Sequence, residues 1–246
     1  MCGRFTQHHD QSELEARFRA VGSLFPIEPH WNIAPGQPIV ALVPHGPEGV
    51  RLLEPLRWGL VPSWARDDSI GNRLINARSE TAAEKPSFRT ALKRRRCLIP
   101  ADGFYEWERS TRQPWHAHLR EGGLFAMAGL WEEWLAPDGS PLRTAAILTT
   151  EANPLVAKIH DRMPVILSRE DEAAWLAPGE LSAEVRERIC RPLPAEAMAM
   201  VPVHRRVGRV SEDDPALLEP VRLDGNVDSA RGLFDAFPVD PTEATQ

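Results

Sequence analysis

Apolar and polar positions alternate in short runs along most of this chain, and proline or glycine separates one run from the next. Short runs rich in apolar and β-branched residues predict strands at residues 39–43, 50–53 and 56–61, then at 97–99, 103–108, 115–119, 124–131, 144–150 and 198–203. Helical spacing is confined to a few short stretches. Ser12-Glu13-Leu14-Glu15 reads as a capping box opening a helix to about Ala20, with Leu14, Phe18 and Val21 on one face. A second helix starts at Ser87 and runs through Leu92. Ser168-Arg169-Glu170-Asp171 caps a third, which Pro178-Gly179 ends, and residues 183–190 form a fourth. The proline-punctuated segment 25–38 reads as loop. Short strands dispersed among few helices predict one α+β domain with mostly antiparallel sheet. No GxGxxG follows a strand and no GxxxxGK[ST] loop is present, which disfavours a dinucleotide or P-loop fold.

Composition changes this picture in two places. The 23 prolines among 246 residues suit many short elements and ordered loops rather than a bundle. Cys2, Cys97 and Cys190 are widely spaced and form no CxxC pair, as expected of a reducing cytosol. No apolar run reaches the length of a membrane span and no signal-peptide core opens the chain, so no membrane partner is expected. A net charge of −6 argues against a nucleic-acid partner until its distribution is read. Residues 211–246 carry nine acidic and two basic side chains, so this end is −7 and the other 210 residues sum to +1. The expected organisation is a domain over residues 1–222 and a poorly ordered acidic tail over 223–246. The near-neutral body keeps basic clusters at Lys93-Arg94-Arg95-Arg96 and Arg205-Arg206-Val207-Gly208-Arg209, which suit phosphate or ordinary solvation equally.

Candidate chemistry begins at the front of the chain. Removal of Met1, usual before a small residue, would make Cys2 the amino terminus with amine and thiol on one carbon framework. Such an aminothiol condenses with an aldehyde: the amine gives an imine and the thiol closes a five-membered thiazolidine. The competing reading is a small cysteine buried under a sheet. Glu106 lies in Gly103-Phe104-Tyr105-Glu106-Trp107-Glu108, where alternation puts Phe104, Glu106 and Glu108 on one face and Tyr105 and Trp107 on the other. A carboxylate among aromatics is a candidate acid or base, or else a solvent-facing strand residue. His160 sits in a loop beside Asp161 and Arg162, where a proton shuttle and an idle loop histidine are both open. Asn76 and Arg78 share a face if their stretch is extended, which suits phosphate or sugar recognition as well as an ordinary surface pair. Trp58 and Trp64 flank a proline-rich loop and read as stacking residues or as core. His116 and His118 face one way on a strand, but no third ligand is placed by sequence, so no metal site is expected. Cys97 and Cys190 read as core.

Taken together, the ordered motifs resemble the SRAP family, the SOS-response-associated peptidases or abasic-site processing proteins. They are Met1-Cys2-Gly3-Arg4-Phe5, Trp31-Asn32-Ile33-Ala34-Pro35, Arg57-Trp58-Gly59-Leu60-Val61-Pro62 with Trp64, and Asn76-Ala77-Arg78-Ser79-Glu80-Thr81. Cys97-Leu98-Ile99-Pro100-Ala101-Asp102-Gly103-Phe104-Tyr105-Glu106-Trp107, Thr149-Thr150-Glu151-Ala152-Asn153 and Ile159-His160-Asp161-Arg162-Met163-Pro164 complete the set, which covers roughly residues 1–210. The resemblance implies a sensor that crosslinks to abasic (AP) sites in single-stranded DNA through a thiazolidine on Cys2, within an SRAP-type domain whose sheets and short helices surround a DNA-binding groove. Asn76 would hold the terminus and sugar, Glu106 would serve as acid and base in imine formation, and His160 would assist ring opening of the sugar. Arg4, Arg78, Thr149 and Arg162 would contact the DNA backbone, with Trp58 and Trp64 near a wedge. It also implies a cytoplasmic monomer, nucleoid-associated during repair, that needs neither cofactor nor metal. The alternatives are a thiol peptidase that uses Cys2 on its own Met1 or leader, and a non-catalytic single-strand binder.

Overall fold

The strand-forming runs pair into two sheets. A computed structural model describes residues 2–223 other than Pro47. Its strands are β1 (Phe5–Gln7), β2 (His30–Ile33), β3 (Pro38–His45), β4 (Val50–Trp58), β5 (Asn76–Arg78), β6 (Arg96–Ala101), β7 (Gly103–Trp107), β8 (Pro114–Leu119), β9 (Phe125–Leu135), β10 (Pro141–Glu151), β11 (Arg162–Pro164), β12 (Ile166–Leu167) and β13 (Met198–Pro202). The helices are α1 (Gln11–Phe18), α2 (Arg89–Arg94), α3 (Arg169–Leu176) and α4 (Ala183–Ile189). The domain is α+β, as the pattern predicts.

The larger sheet runs β11-β10-β4-β3-β6-β9-β12, and β5 also lies on β10. β9 pairs a second time, with β10, from Pro141↔Leu135 to Ile147↔Gly129. Strands β10, β4, β3, β6 and β9 therefore close a ring. The smaller sheet runs β13-β8-β7-β1-β2. Pairing among these strands is antiparallel except where β10 meets β4 and β5. Alternate residues of the ring feed two cores. Ile39, Ala41, Val43, Cys97 and Ile99 pack in one with Phe5, Phe104 and Trp115 of the smaller sheet. Val40, Leu42, Leu98 and Ala128 pack in the other with Leu14 and Phe18 of α1, Leu92 of α2 and Trp175 of α3. Strands buried on both faces read as continuous apolar runs, which is why β6 shows no alternation.

Several expectations move. The capping box belongs to Asp10 and Glu13, not Ser12 and Glu15: the Asp10 carboxylate accepts from Glu13 N–H and Glu13 Oε2 accepts from Asp10 N–H, each at 2.9 Å. Ser12 donates its own hydroxyl to Asp10 at 2.7 Å, because a carboxylate is the stronger acceptor. The helix stops at Phe18 with Arg19 in the left-handed region (φ 54°), which turns Val21 out to 69% exposure instead of onto the buried face. The two strands expected over 50–61 are one, β4, and the segment expected as loop before Pro38 contains β2. The acidic tail expected to be poorly ordered lies outside the described residues from 224 onward. Among those described, no helix is long and apolar enough to cross a membrane.

Gly129 of β9 stands opposite Cys97 of β6 and leaves room for the Cys97 and Ile99 side chains. A methyl group there would stand 2.7 Å from Cys97 Sγ and 2.9 Å from Ile99 Cδ1. Gly129→Ala is expected to lower stability by about 1–3 kcal/mol through overpacking, measured by denaturant unfolding, with the slope of the transition unchanged.

Candidate active site

The front of the chain is held by strand pairing. β1 lies antiparallel to β7 with Phe5↔Phe104 and Thr6↔Gly103. The same register continues outward, since Tyr105 N–H donates to the Arg4 carbonyl at 2.9 Å. One step further it sets Gly3 against Glu106, beside Cys2. Asn76, the first residue of β5, donates its side-chain amide to the Cys2 carbonyl at 2.8 Å. β5 is placed in turn by parallel pairing with β10, where Asn76 stands opposite Ile147. Alternation along β7 sends Phe104 into the main core and Tyr105 and Trp107 into a separate cluster on the other face. Glu106 follows Phe104 and is 3% exposed.

Burial sets the chemistry of these groups. It pushes the Glu106 carboxyl from its ordinary 4.5 up to about 7. Cys2 is fully buried, and burial together with the nearby Glu106 charge pushes its thiol far above the usual range. The thiol lies 3.8 Å from the Arg4 carbonyl. It is therefore held as S–H rather than thiolate. His160 accepts the Arg162 backbone N–H at its Nδ1, 3.0 Å away. That bond leaves the proton of the neutral ring on Nε2, and burial holds the ring's pKa below its ordinary 6.5. Neighbouring Asp161 pairs with Arg109 at 2.8 Å, and its charge adds to the upward push on Glu106.

Cys2, Asn76 and Glu106 thus converge, with the His160–Asp161 loop bordering them. The six expected DNA contacts divide. Arg78 is exposed on β5, and Trp64 is 59% exposed on the loop after Pro62. That loop is pinned where Trp134 Nε1 donates to the Ala65 carbonyl at 2.8 Å. Arg162 lies close by, clamped on Glu80 by two hydrogen bonds of 2.7 and 2.9 Å and on the Thr149 carbonyl at 2.7 Å. Trp58 and Thr149 are placed differently from the expectation. Trp58 is 1% exposed, edge-on to Phe5, and its Nε1 donates to Ile75 O at 2.9 Å, so its ring cannot serve as a wedge. Thr149 is fully buried in β10. Arg4 faces inward and donates to Asn32 Oδ1 (2.8 Å) and the Val207 carbonyl (2.7 Å). Asn32 donates from the same amide to the carbonyls of Val207, Arg209 and Glu212 at 3.2, 2.9 and 2.6 Å, closing the segment after β13 over the front of the chain.

Sequence reasoning did not mark Asn32 or Asp161, although both lie inside motifs it quoted. It placed His116 and His118 together, and their rings do stack 5.5 Å apart. Burial pushes His116 down to about 3, so it stays neutral beneath Gly103, where a Cβ would stand 1.9 Å from its Nε2.

The structure is a two-sheet α+β domain in which Cys2 lies beside the Asn76 amide and the high-pKa Glu106 carboxyl. The chain belongs to the SRAP (SOS response associated peptidase) family, whose sequence model matches residues 1–210. It is 42% identical over 225 residues to the abasic site processing protein YoqW of Bacillus subtilis, a match covering 89% of this chain and 99% of the relative. It is 35% identical over 199 residues to the chicken (Gallus gallus) abasic site processing protein HMCES, covering 70% of this chain and 59% of that one. A crystal structure of a Bacteroides thetaiotaomicron protein shares the fold with a TM-score of 0.81 at 24% identity, covering 90% of this chain and all of that one. Another, from Bordetella bronchiseptica, gives 0.71 at 26% identity over 82% of this chain and all of that one.

The raised Glu106 carboxyl carries a sign that can be checked. Its folded pKa lies above its unfolded one, so the stability it contributes is present below pH 4.5 and is lost as pH rises through about 7. Glu106→Gln should therefore gain stability relative to the parent between pH 5 and pH 8. Paired denaturation curves across that range measure it, and a difference that stays flat contradicts the assignment.

Proposed function

We propose that this chain captures abasic sites in single-stranded DNA by forming a thiazolidine between its mature amino-terminal Cys2 and the sugar aldehyde. The observation that carries the reading is the Asn76 amide on the Cys2 carbonyl at 2.8 Å, with Glu106 set beside it by the β1–β7 register. Membership of a family whose curated relatives are named for abasic-site processing supplies the substrate.

The steps follow from the chemistry of each group. Cleavage of the Met1–Cys2 bond frees an α-amine on the carbon whose carbonyl Asn76 fixes. An abasic deoxyribose opens to an aldehyde, and His160, with its proton on Nε2, stands ready to donate to the ring oxygen as it opens. The amine adds to the aldehyde carbon, and the carbinolamine loses its oxygen as water. A carboxyl titrating near 7 can protonate that leaving oxygen and then take a proton back. The thiol next adds to the imine carbon, and its proton passes by way of Glu106 to nitrogen. One C–N and one C–S bond form, one C=O is lost, and the product is a secondary amine within a five-membered ring. Consuming the aldehyde suppresses strand scission by β-elimination. Arg78 and Arg162 would meet phosphates, and Trp64 would stack on a flanking base. A covalent product relieves the need for a strongly basic surface, which suits a body of near-neutral charge.

Autoproteolysis is the second reading, and the state of the thiol separates the two. A peptidase needs the thiol deprotonated as it attacks, by Glu106 or His160 as base, and burial makes that deprotonation the harder step. The amine-first route has no such requirement until ring closure.

Three measurements test the proposal. Intact mass of the purified protein should show Met1 absent, and a form engineered to retain residue 1 should not crosslink. Cys2→Ala should give no denaturation-resistant adduct with an AP-site oligonucleotide, while Cys2→Ser should leave at most a borohydride-trappable imine. Glu106→Gln should slow adduct formation by about 100- to 10,000-fold in single-turnover gels while leaving DNA affinity unchanged. A durable adduct from the alanine variant would overturn the proposal, and sustained peptide turnover without DNA adduct would favour the peptidase.

A further inference from the structure

The far end of β1 carries a second cluster, made by side chains that the proposed reaction does not use. His8 and His9 follow the strand directly, and Asp102 sits at the turn from β6 to β7. The metal-ligating atoms of these three residues all lie within 4.8 Å of one another. Each histidine Nδ1 faces a carboxylate oxygen: His8 stands 3.0 Å from Asp102 Oδ1, and His9 stands 3.1 Å from Glu13 Oε1. The two imidazoles are stacked, with centroids 5.1 Å apart and planes at 20°.

We propose that His8, His9 and Asp102 form a binding site for a divalent transition-metal ion of the zinc class. Two imidazoles and a carboxylate are a common donor set for such ions. Zinc–nitrogen and zinc–oxygen bonds of about 2.0–2.1 Å place neighbouring ligand atoms of a tetrahedron about 3.3 Å apart. The His8 Nδ1–Asp102 Oδ1 contact of 3.0 Å is close to that spacing, and His9 offers its ligand atom within 4.8 Å of both.

The surroundings provide what a metal site needs beyond its ligands. Asp102 has a side chain only 4% exposed and is fixed from behind. The Thr6 hydroxyl donates to its Oδ1, and the His8 backbone N–H donates to Oδ2 at 2.7 Å. Such outer contacts orient a ligating carboxylate and hold it ionised. The site is reachable, because the His8 and His9 side chains are 33% and 22% exposed. His9 and Glu13 also line a cleft of about 650 Å³. Six residues along the extended chain separate His8 from Cys2, roughly 20 Å at the rise of a strand, so this cluster is distinct from the aminothiol. Bound metal would join the loop entering α1 to the β6–β7 turn and brace β1 at the end opposite Cys2.

Isothermal titration of zinc chloride into tag-free, chelator-stripped protein tests this. One ion per chain is expected, with a raised Tm, and Cys2→Ala should bind as the parent does. His9→Ala and His8→Ala should each weaken binding at least about tenfold. Asp102→Asn should do the same, but both histidines are partly exposed, so their variants keep the test open if the buried one misfolds. Cobalt in place of zinc should give visible d–d bands without a thiolate charge-transfer band. No binding, binding unaffected by His8→Ala and His9→Ala, or a thiolate band abolished by Cys2→Ala would each overturn the proposal.

Discussion

Strand pairing at the very start of the chain is the constraint on which the site depends. A terminal segment ordinarily frays, because few contacts offset the entropy of ordering it. Here Phe5 and Thr6 are locked onto Phe104 and Gly103, and the Arg4 carbonyl accepts from Tyr105. The Asn76 amide then fixes Cys2 itself. Further clamps come from Arg4, which bonds to the carbonyls of Val207 and Gly208, 203 and 204 residues away in sequence, and from Asn32, which bonds to Val207, 175 residues away. The beginning and end of the domain are thus tied to one another across the smaller sheet. The proposed nucleophile would need such anchoring, because misplacement by an ångström costs orders of magnitude in rate.

The electrostatics follow from the same placement. Glu106 is buried because β7 is sandwiched, with Phe104 on its own face packed into the main core and Tyr105 in the cluster behind. Desolvation then raises both the carboxyl and the adjacent thiol. A proton-holding acid next to a proton-holding sulfur suits condensation chemistry, in which water must leave and a thiol must enter, better than it suits attack by a standing thiolate.

Much of this was legible in the chain. Alternation over 103–108 put Glu106 on the face of Phe104, and the structure keeps it there, because a period of two is a backbone property that tertiary context cannot shift. Leu14 and Phe18 declared the buried side of α1 in the same way. The capping box was misplaced because Ser12 and Asp10 both compete for the helix end, and the carboxylate takes the N–H. Trp58 was open between stacking residue and core, because a proline-rich loop follows it, and its place at the end of β4, edge-on to Phe5, decides for core. The three-residue strands β1, β5 and β11 carry too few positions to show a period at all, and they hold or flank Cys2, Asn76 and Arg162. The candidate site residues were therefore legible as motifs, and only the fold supplied their pairing.

One strand has a further bearing on how the family can vary. β10 is hydrogen-bonded to β4, β5, β9 and β11, so a single eleven-residue ribbon sets the alignment of four others. Asn76 and Arg162 inherit their positions from it. Length changes should be absorbed more readily where β3 turns into β4 beside Gly46, because β10 meets β4 only at its other end, at Arg57 and Trp58. A lost or gained residue inside the ribbon would slide both halves of the pocket past each other.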